Sequence, residues 1–165
     1  MTETLDLIVI GAGMAGINAA KKCSQAGWSV AIVDELPYGG TCALRGCDPK
    51  KMLRAGAEAV EAVRLLEGKG VAGETKIDWP SLMKHKESFT DPVPESMESG
   101  LTEAGVKTLH GRARFTAKDR IEIDGQGEIA FRRALIATGA KPRPLEFSGA
   151  ERLIDSTDFL NLAEL

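Results

Sequence analysis

The sequence predicts an α/β fold: a parallel sheet with helices packed on it, joined by a small antiparallel β-meander. Three observations lead there. The apolar run Leu5–Ile10 breaks off into Gly11-Ala12-Gly13-Met14-Ala15-Gly16, which is followed by helix formers and then a second apolar run; that is the order strand, glycine turn, helix, strand. Past Val106, apolar and polar residues alternate over short stretches separated by turn residues, the period of half-buried strands. The 165 residues, 43% hydrophobic and 27% charged, suffice for one ordinary domain with a core and are too apolar for disorder.

The elements follow in order. Residues 17–25 form the first helix, closed by Gly27 as C-terminal cap, and residues 28–33 form the second strand. Pro37, Gly39, Gly40 and Gly46 keep residues 36–46 from being regular throughout. Across Lys51–Glu67, Leu53, Ala57, Val60 and Val63-Arg64-Leu65 recur at helical spacing. Trp79–Ala104 begins as an amphipathic helix, but Asp91-Pro92-Val93-Pro94 removes two amide donors, so two shorter helices are expected. Val106–Leu109, Ala113–Thr116, Arg120–Ile123 and Glu128–Phe131 read as the strands of the meander. Ala134–Ala137 reads as a buried strand ending in Thr138-Gly139, and Lys141-Pro142-Arg143-Pro144 leaves as an extended connection. Trp28 and Trp79 read as a core residue and a residue at the start of a helix, and Cys23 as core packing.

Charge and hydropathy exclude several partners. Lys and Arg total 21 against 24 Asp and Glu, a net charge of −3, and no basic stripe interleaved with aromatics suggests nucleic acid. The uncharged stretch 7–20 is broken by three glycines and falls short of the roughly 20 apolar residues of a membrane span. Met1-Thr2-Glu3-Thr4 is acidic where a secretory signal is basic, which makes the cytoplasm the expected compartment. Three cysteines are too few and too odd in number for a secreted disulfide framework.

The pattern G-x-G-x-x-G occurs twice, and context separates the copies. Gly68-Lys69-Gly70-Val71-Ala72-Gly73 follows a helix and precedes polar residues, so it reads as an exposed loop. The copy at Gly11 follows a strand and opens a helix. Asp34 ends the next strand about 20 residues on, where a carboxylate can accept ribose hydroxyls. Gly11 allows the tight turn, Gly13 lets the backbone approach a pyrophosphate and Gly16 lets helix and strand pack closely. The amides of Met14 and Ala15 would face the phosphates at the positive helix end. This copy reads as a dinucleotide site.

Cys42 and Cys47 share the segment Gly39-Gly40-Thr41-Cys42-Ala43-Leu44-Arg45-Gly46-Cys47-Asp48-Pro49-Lys50-Lys51. Zinc needs further ligands, and Cys23, His85 and His110 are scattered through other elements; no metal site is expected. A regular helix through both cysteines would hold their Cα atoms about 8 Å apart, beyond the roughly 4.4 to 6.8 Å of a disulfide. A bridge there would need a distorted segment, which Gly46 permits, and would be reducible.

Taken together, the strand-GAGMAG-helix turn, Asp34 upstream of Cys42, the run GGTCxxxxGCxPKK, Gly111-Arg112-Ala113 and Ala137-Thr138-Gly139 resemble the pyridine nucleotide-disulfide oxidoreductases, the family of glutathione reductase, dihydrolipoamide dehydrogenase and mercuric reductase. The resemblance implies a Rossmann-like FAD-binding domain over 1–165, the N-terminal portion of a larger enzyme, with the NAD(P)-binding and dimerisation domains absent. It implies FAD held by the glycine turn, with Asp34 on the adenosine ribose, Gly40 and Thr41 near the pyrophosphate, Ala113 meeting the adenine through its backbone and Thr138 and Gly139 close by. It gives Cys42 the exchange with substrate, Cys47 the place against the flavin ring, and Lys50 a position near the flavin N5, with Lys51 as its rival. Electrons would pass from NAD(P)H through FAD and the Cys42/Cys47 pair to a small-molecule disulfide or a metal ion, in a full-length homodimer. This sequence departs from the best-known members at Ala43-Leu44-Arg45, which replaces Val-Asn-Val, at Asp48, which puts a carboxylate in an apolar position, and at Pro92 and Pro94, which interrupt a helix. A non-catalytic nucleotide-binding module, or a redox module completed by another chain, is the alternative.

Overall fold

The computed structural model describes residues 4–165, so the acidic opening Met1-Thr2-Glu3 lies outside the described residues. The two apolar runs are strands β1 (Leu5–Ile10) and β2 (Val30–Asp34), parallel and paired from Leu7 opposite Val30 to Ile10 opposite Val33. Between them α1 (Met14–Gln25) starts directly out of the glycine turn, ahead of the expected Ile17. It stops where the Gly27 N–H bonds back to the Ser24 carbonyl and the Trp28 N–H to that of Cys23, which satisfies the last carbonyls of the helix. The segment after β2 contains α2 (Gly40–Arg45), and α3 (Cys47–Leu65) begins earlier than Lys51. The prolines split the next region into α4 (Trp79–Thr90) and α5 (Val93–Thr102) as expected.

A six-stranded sheet of order β3-β2-β1-β6-β5-β4 is completed by β3 (Lys107–His110), β4 (Ala113–Ala117), β5 (Arg120–Ile123) and β6 (Gly127–Ile136). Two strand expectations need correction. The first alternating stretch, β3, pairs parallel with β2 and is no part of the meander; a period of two marks a strand but does not name its partner. Glu128–Phe131 and the expected strand from Ala134, which ends at Ile136, belong to one strand, β6, antiparallel to β5 in its first half and parallel to β1 in its second. The strand runs through Arg132 and Arg133 because each finds a partner: Arg132 reaches Asp6 at 2.7 Å, and the Arg133 guanidinium lies over the Trp28 ring at 4.8 Å. Trp28, 36% exposed, is therefore a platform for an arginine and not a core residue. The second half of β6 is not buried as expected either: Ile136 is 65% exposed, and Leu135 is partly buried against the core.

The chain divides into two compact units, one running to Cys42 and resuming at Val93–Lys141, the other made of Ala43–Pro92 and Pro142–Leu165. In the first, alternate side chains of β1 and β2 feed two cores. Leu7, Val9, Val30 and Ile32 pack with Ile17, Ala20 and Leu101 of α1 and α5, while Ile8, Ala31 and Val33 pack with Leu109, Ile121, Ile123 and Phe131. Burial on both faces explains why these strands read as continuous apolar runs. In the second unit, α3 and α4 pack through Leu53 and Met83 against Leu160 of α6 (Ser156–Leu160). Trp79 Nε1 donates to the Leu162 carbonyl at 2.8 Å and the buried Lys86 Nζ to that of Leu160 at 3.0 Å, so both donors serve carbonyls at the end of α6.

Asp6 ties three strands together at their edge. Its carboxylate accepts the Ser29 N–H at 3.0 Å and the Ser29 hydroxyl at 2.9 Å, besides Arg132. The Ser29 amide first, then its hydroxyl and Arg132, hold the Asp6 carboxyl below its ordinary value. A carboxyl depressed in the folded state stabilises fully above its unfolded value of about 3.9 and loses that contribution as pH falls through the folded one. Melting temperatures followed down from about pH 5 should therefore fall less steeply below pH ~4 in Asp6→Asn than in the parent. Parallel acid limbs would show that Asp6 does not contribute.

Candidate functional site

Three backbone segments meet at the carboxyl ends of β1, β2 and β6, where a doubly wound sheet presents its ligand crevice. Gly11 has φ +107°, its N–H bonds to the Val33 carbonyl at 2.8 Å, and a Cβ added there would run into the Ala137 carbonyl oxygen and lie 3.0 Å from the Thr138 nitrogen. The Ala12 carbonyl accepts the Gly39 N–H at 2.9 Å, and a Cβ on Gly40, φ +65°, would stand 2.6 Å from the Gly13 Cα. Only glycines allow so close an approach of two backbones. At Gly16 a Cβ would strike the Gly11 carbonyl. The N-cap residue Gly13 supplies no side-chain cap to α1, so the amides of the exposed Met14 and Ala15 stand at an uncapped, positive helix end. A crevice of bare backbone in front of that end fits a pyrophosphate.

Asp34 sits at the same edge, with its carboxylate turned onto backbone: Oδ2 accepts the Ala12 N–H at 2.7 Å and Oδ1 the Leu36 N–H at 2.9 Å. A carboxylate has further lone pairs for hydroxyl donors. Thr41 is exposed in the first turn of α2, and Thr138 and Gly139 follow β6 at exposed positions. Ala113 joins this group only through Gly111, whose N–H bonds to the Asp34 carbonyl at 3.0 Å.

The sequence reading missed Tyr38, the one tyrosine of the chain. It is 1% exposed, and its hydroxyl accepts the Leu109 N–H at 3.0 Å while lying 2.8 Å from the Leu109 carbonyl and 3.1 Å from that of Ile32. Burial pushes its phenol up to about 12, so it remains a donor at any physiological pH. Its ring stacks on His110 at 4.8 Å, and His110 Nε2 lies 2.9 Å from Glu98 Oε1 of α5. Burial raises the Glu98 carboxyl, but hydrogen bonds from His110 and Thr108 outweigh it and leave the group below its ordinary value. The signal was available: a lone aromatic in a proline-glycine loop buries a large area if it turns inward. Tyr38 and His110 border an open concavity of about 880 Å³ whose walls carry Glu35, Glu95, Glu98 and Glu103; that charge disfavours phosphate there.

Cys42 is half-buried within α2, and the exposed Cys47 is a thiol that opens α3. Gly46, with φ −153° and ψ −104°, breaks the helix between them, the distortion expected there. Asp48 lies in the first turn of α3, favourable for a carboxylate at a helix N-terminus, and Lys51 Nζ is 3.6 Å from it. Lys50 is exposed and in no ion pair among the described residues. The second glycine triplet is an exposed loop, as read, and His85 is exposed with its ring edge-on to Phe89 at 5.1 Å. Among the described residues no helix is long and apolar enough to cross a membrane.

The sequence profile described as pyridine nucleotide-disulphide oxidoreductase matches residues 5–165. The chain belongs to this family. Pyridine nucleotide-disulphide oxidoreductases related to it are FAD-dependent and use NAD(P)H. Similar relatives include a dihydrolipoyl dehydrogenase of Chlamydia trachomatis, 33% identical over all of this chain and 37% of that protein, and a glutathione reductase of Burkholderia cepacia, 34% identical over 95% of this chain and 35% of that protein. Among solved structures, the HOCl-induced flavoprotein disulfide reductase RclA of Escherichia coli superposes with a TM-score of 0.81 at 26% identity, over 97% of this chain and 34% of that one. A Cu(II) complex of a cysteine-to-serine variant of the same protein matches at TM-score 0.78 and 25% identity, over 99% of this chain and 35% of that one. The Rossmann-like sheet is thus the family's flavoprotein fold, and the chain spans just over a third of the length of the relatives it matches.

Proposed function

We propose that this chain is the FAD-binding portion of a thiol-disulfide oxidoreductase in which Cys42 and Cys47 form the redox-active disulfide. The observation that supports it best is the convergence of Gly11, Gly13 and Gly40 backbone in front of the uncapped start of α1. Gly11, Gly13, Met14, Ala15, Gly16, Gly40 and Thr41 would hold the pyrophosphate, Asp34 the ribose, Ala113 the adenine, and Thr138 and Gly139 would line the crevice; Lys50 would lie at the flavin ring. FAD, when bound, supplies the two-electron link between NAD(P)H and the disulfide.

The chain's own chemistry is thiol exchange. Reduction of the bridge leaves two thiols. Cys42 Sγ, as thiolate, attacks a substrate disulfide and expels one substrate thiol, and Cys47 Sγ then attacks Cys42 Sγ, expels the second and restores the bridge. Two electrons and two protons thus leave with the substrate. NAD(P)H as donor, a dimeric complete enzyme and a cytoplasmic location belong to the same proposal. A metal ion is the alternative electron acceptor in this proposal; a structural neighbour, the RclA variant, forms a Cu(II) complex.

Titration with FAD followed by flavin fluorescence tests the cofactor: binding is expected, and indifference to FAD with tight NAD binding would overturn it. Differential alkylation and peptide mapping test the disulfide. The oxidised chain should leave Cys23, packed against the core, alone alkylatable; a bridge through Cys23 would sink the assignment.

A further inference from the structure

We infer that Tyr38 is a positioning residue for the segment that carries Gly40, Thr41 and Cys42, holding it against the dinucleotide turn from inside the sheet. This rests on the FAD reading for its function and on geometry for its substance. The loop after β2 has three consecutive anchors. The Tyr38 hydroxyl is fixed between the Ile32 carbonyl of β2 and the N–H and carbonyl of Leu109 in β3. The next residue, Gly39, donates its N–H to the Ala12 carbonyl at 2.9 Å, and Gly40 packs its backbone on Gly13. The second and third contacts are single and backbone-only, and neither selects a depth of insertion. The first does, because a buried hydroxyl with one donor and two carbonyls in reach has one place to sit.

The ring is braced as well. Stacked on His110, it cannot swing towards α5, since His110 is itself held by Glu98, and the His110 carbonyl accepts from Gln126 Nε2 at 3.2 Å. Deleting the hydroxyl removes the loop's side-chain tie to Leu109 of β3 and to the Ile32 carbonyl, which frees the loop to shift. The shift would be felt next at Gly40, where no atom can be added without moving Gly13.

The test compares Tyr38→Phe and His110→Ala with the parent in two measurements: FAD affinity, and the rate at which iodoacetamide labels Cys42 relative to Cys23 in the reduced protein, read by mass spectrometry. Tyr38→Phe should weaken FAD about tenfold and speed Cys42 labelling by a similar factor, with Cys23 unchanged. His110→Ala, which keeps the hydroxyl and removes the brace, should move both in the same direction by about threefold. Equal acceleration of Cys23 and Cys42 would mean general loosening of the fold and would overturn the positioning role, as would parental values for both measurements. If Tyr38→Phe does not fold, His110→Ala decides, and an unchanged Cys42 rate there refutes the inference. Should the parent itself fail to bind FAD, the cofactor reading falls, while the labelling ratio still decides the role of Tyr38.

Discussion

Gly11→Ala is expected to abolish FAD retention and to destabilise the chain by more than about 3 kcal/mol, a large share of the roughly 5 to 15 kcal/mol that holds a domain together. Two penalties add at this position. A side chain at φ +107° carries the strain of the left-handed region, about 1 to 3 kcal/mol, and the new methyl meets the Ala137 carbonyl, which is backbone and cannot rotate away. Relief requires β1 and β6 to part at the end where the Ala137 N–H bonds to the Ile10 carbonyl at 2.7 Å. Gly68→Ala separates the two effects. Gly68 also has positive φ, +72°, yet nothing lies within 4 Å of its would-be Cβ, so it should cost only the strain, about 1 kcal/mol, and leave FAD binding intact. Thermal melts with and without FAD measure both. Equal losses in the two variants would mean that the close approach at Gly11 contributes nothing.

If Cys42 and Cys47 form the redox pair proposed above, replacing either by Ser should remove disulfide-substrate reduction from the complete enzyme, by a factor on the order of 10³ or more, because residues that act as a unit fail together. One sulfur cannot store an electron pair as a dithiol, and a serine oxygen cannot be the leaving atom of an exchange. On that proposal, acceptance of hydride from NAD(P)H would need neither thiol, so slow NAD(P)H oxidation by dissolved oxygen should persist in both variants. The two should still differ. Cys47→Ser keeps the attacking thiol and should trap a mixed disulfide with substrate on Cys42, visible as added mass, whereas Cys42→Ser should trap none. The opposite pattern would exchange the two roles, and full activity in either variant would remove the pair from the mechanism.

Much of this site was legible because its requirements are local. The glycine turn announces itself through spacing after an apolar run, and Asp34 through its place at the end of the next strand; both stand where that logic puts them. Gly46 likewise breaks the helix between the two cysteines. What escaped the sequence depends on partners far along the chain. Arg132-Arg133 reads as an interruption until Asp6 and Trp28 receive the two guanidinium groups, and then β6 becomes one strand. The alternation of Lys107–His110 is the same whether its neighbour is β2 or β4, so local period could not exclude it from the meander. Tyr38 lies in a loop composed like a surface turn, and only Ile32 and Leu109, brought together by the parallel pairing of β2 and β3, make a buried seat for its hydroxyl.

The course of β6 also governs the order in which the protein can be completed during synthesis. Once synthesised, β1 finds β2 within a few dozen residues, but its other neighbour emerges much later, as the Asp6–Arg132 separation of 126 residues records. Until then Ile8 and Val9, fully buried at the end, lie on an open edge whose backbone groups can pair with any extended strand. Closing so long a loop is slow, since the entropy of bringing its ends together is lost before any contact repays it. A growing chain therefore carries a sticky, half-made sheet until β6 arrives, and that interval is when aggregation and chaperone capture compete with folding.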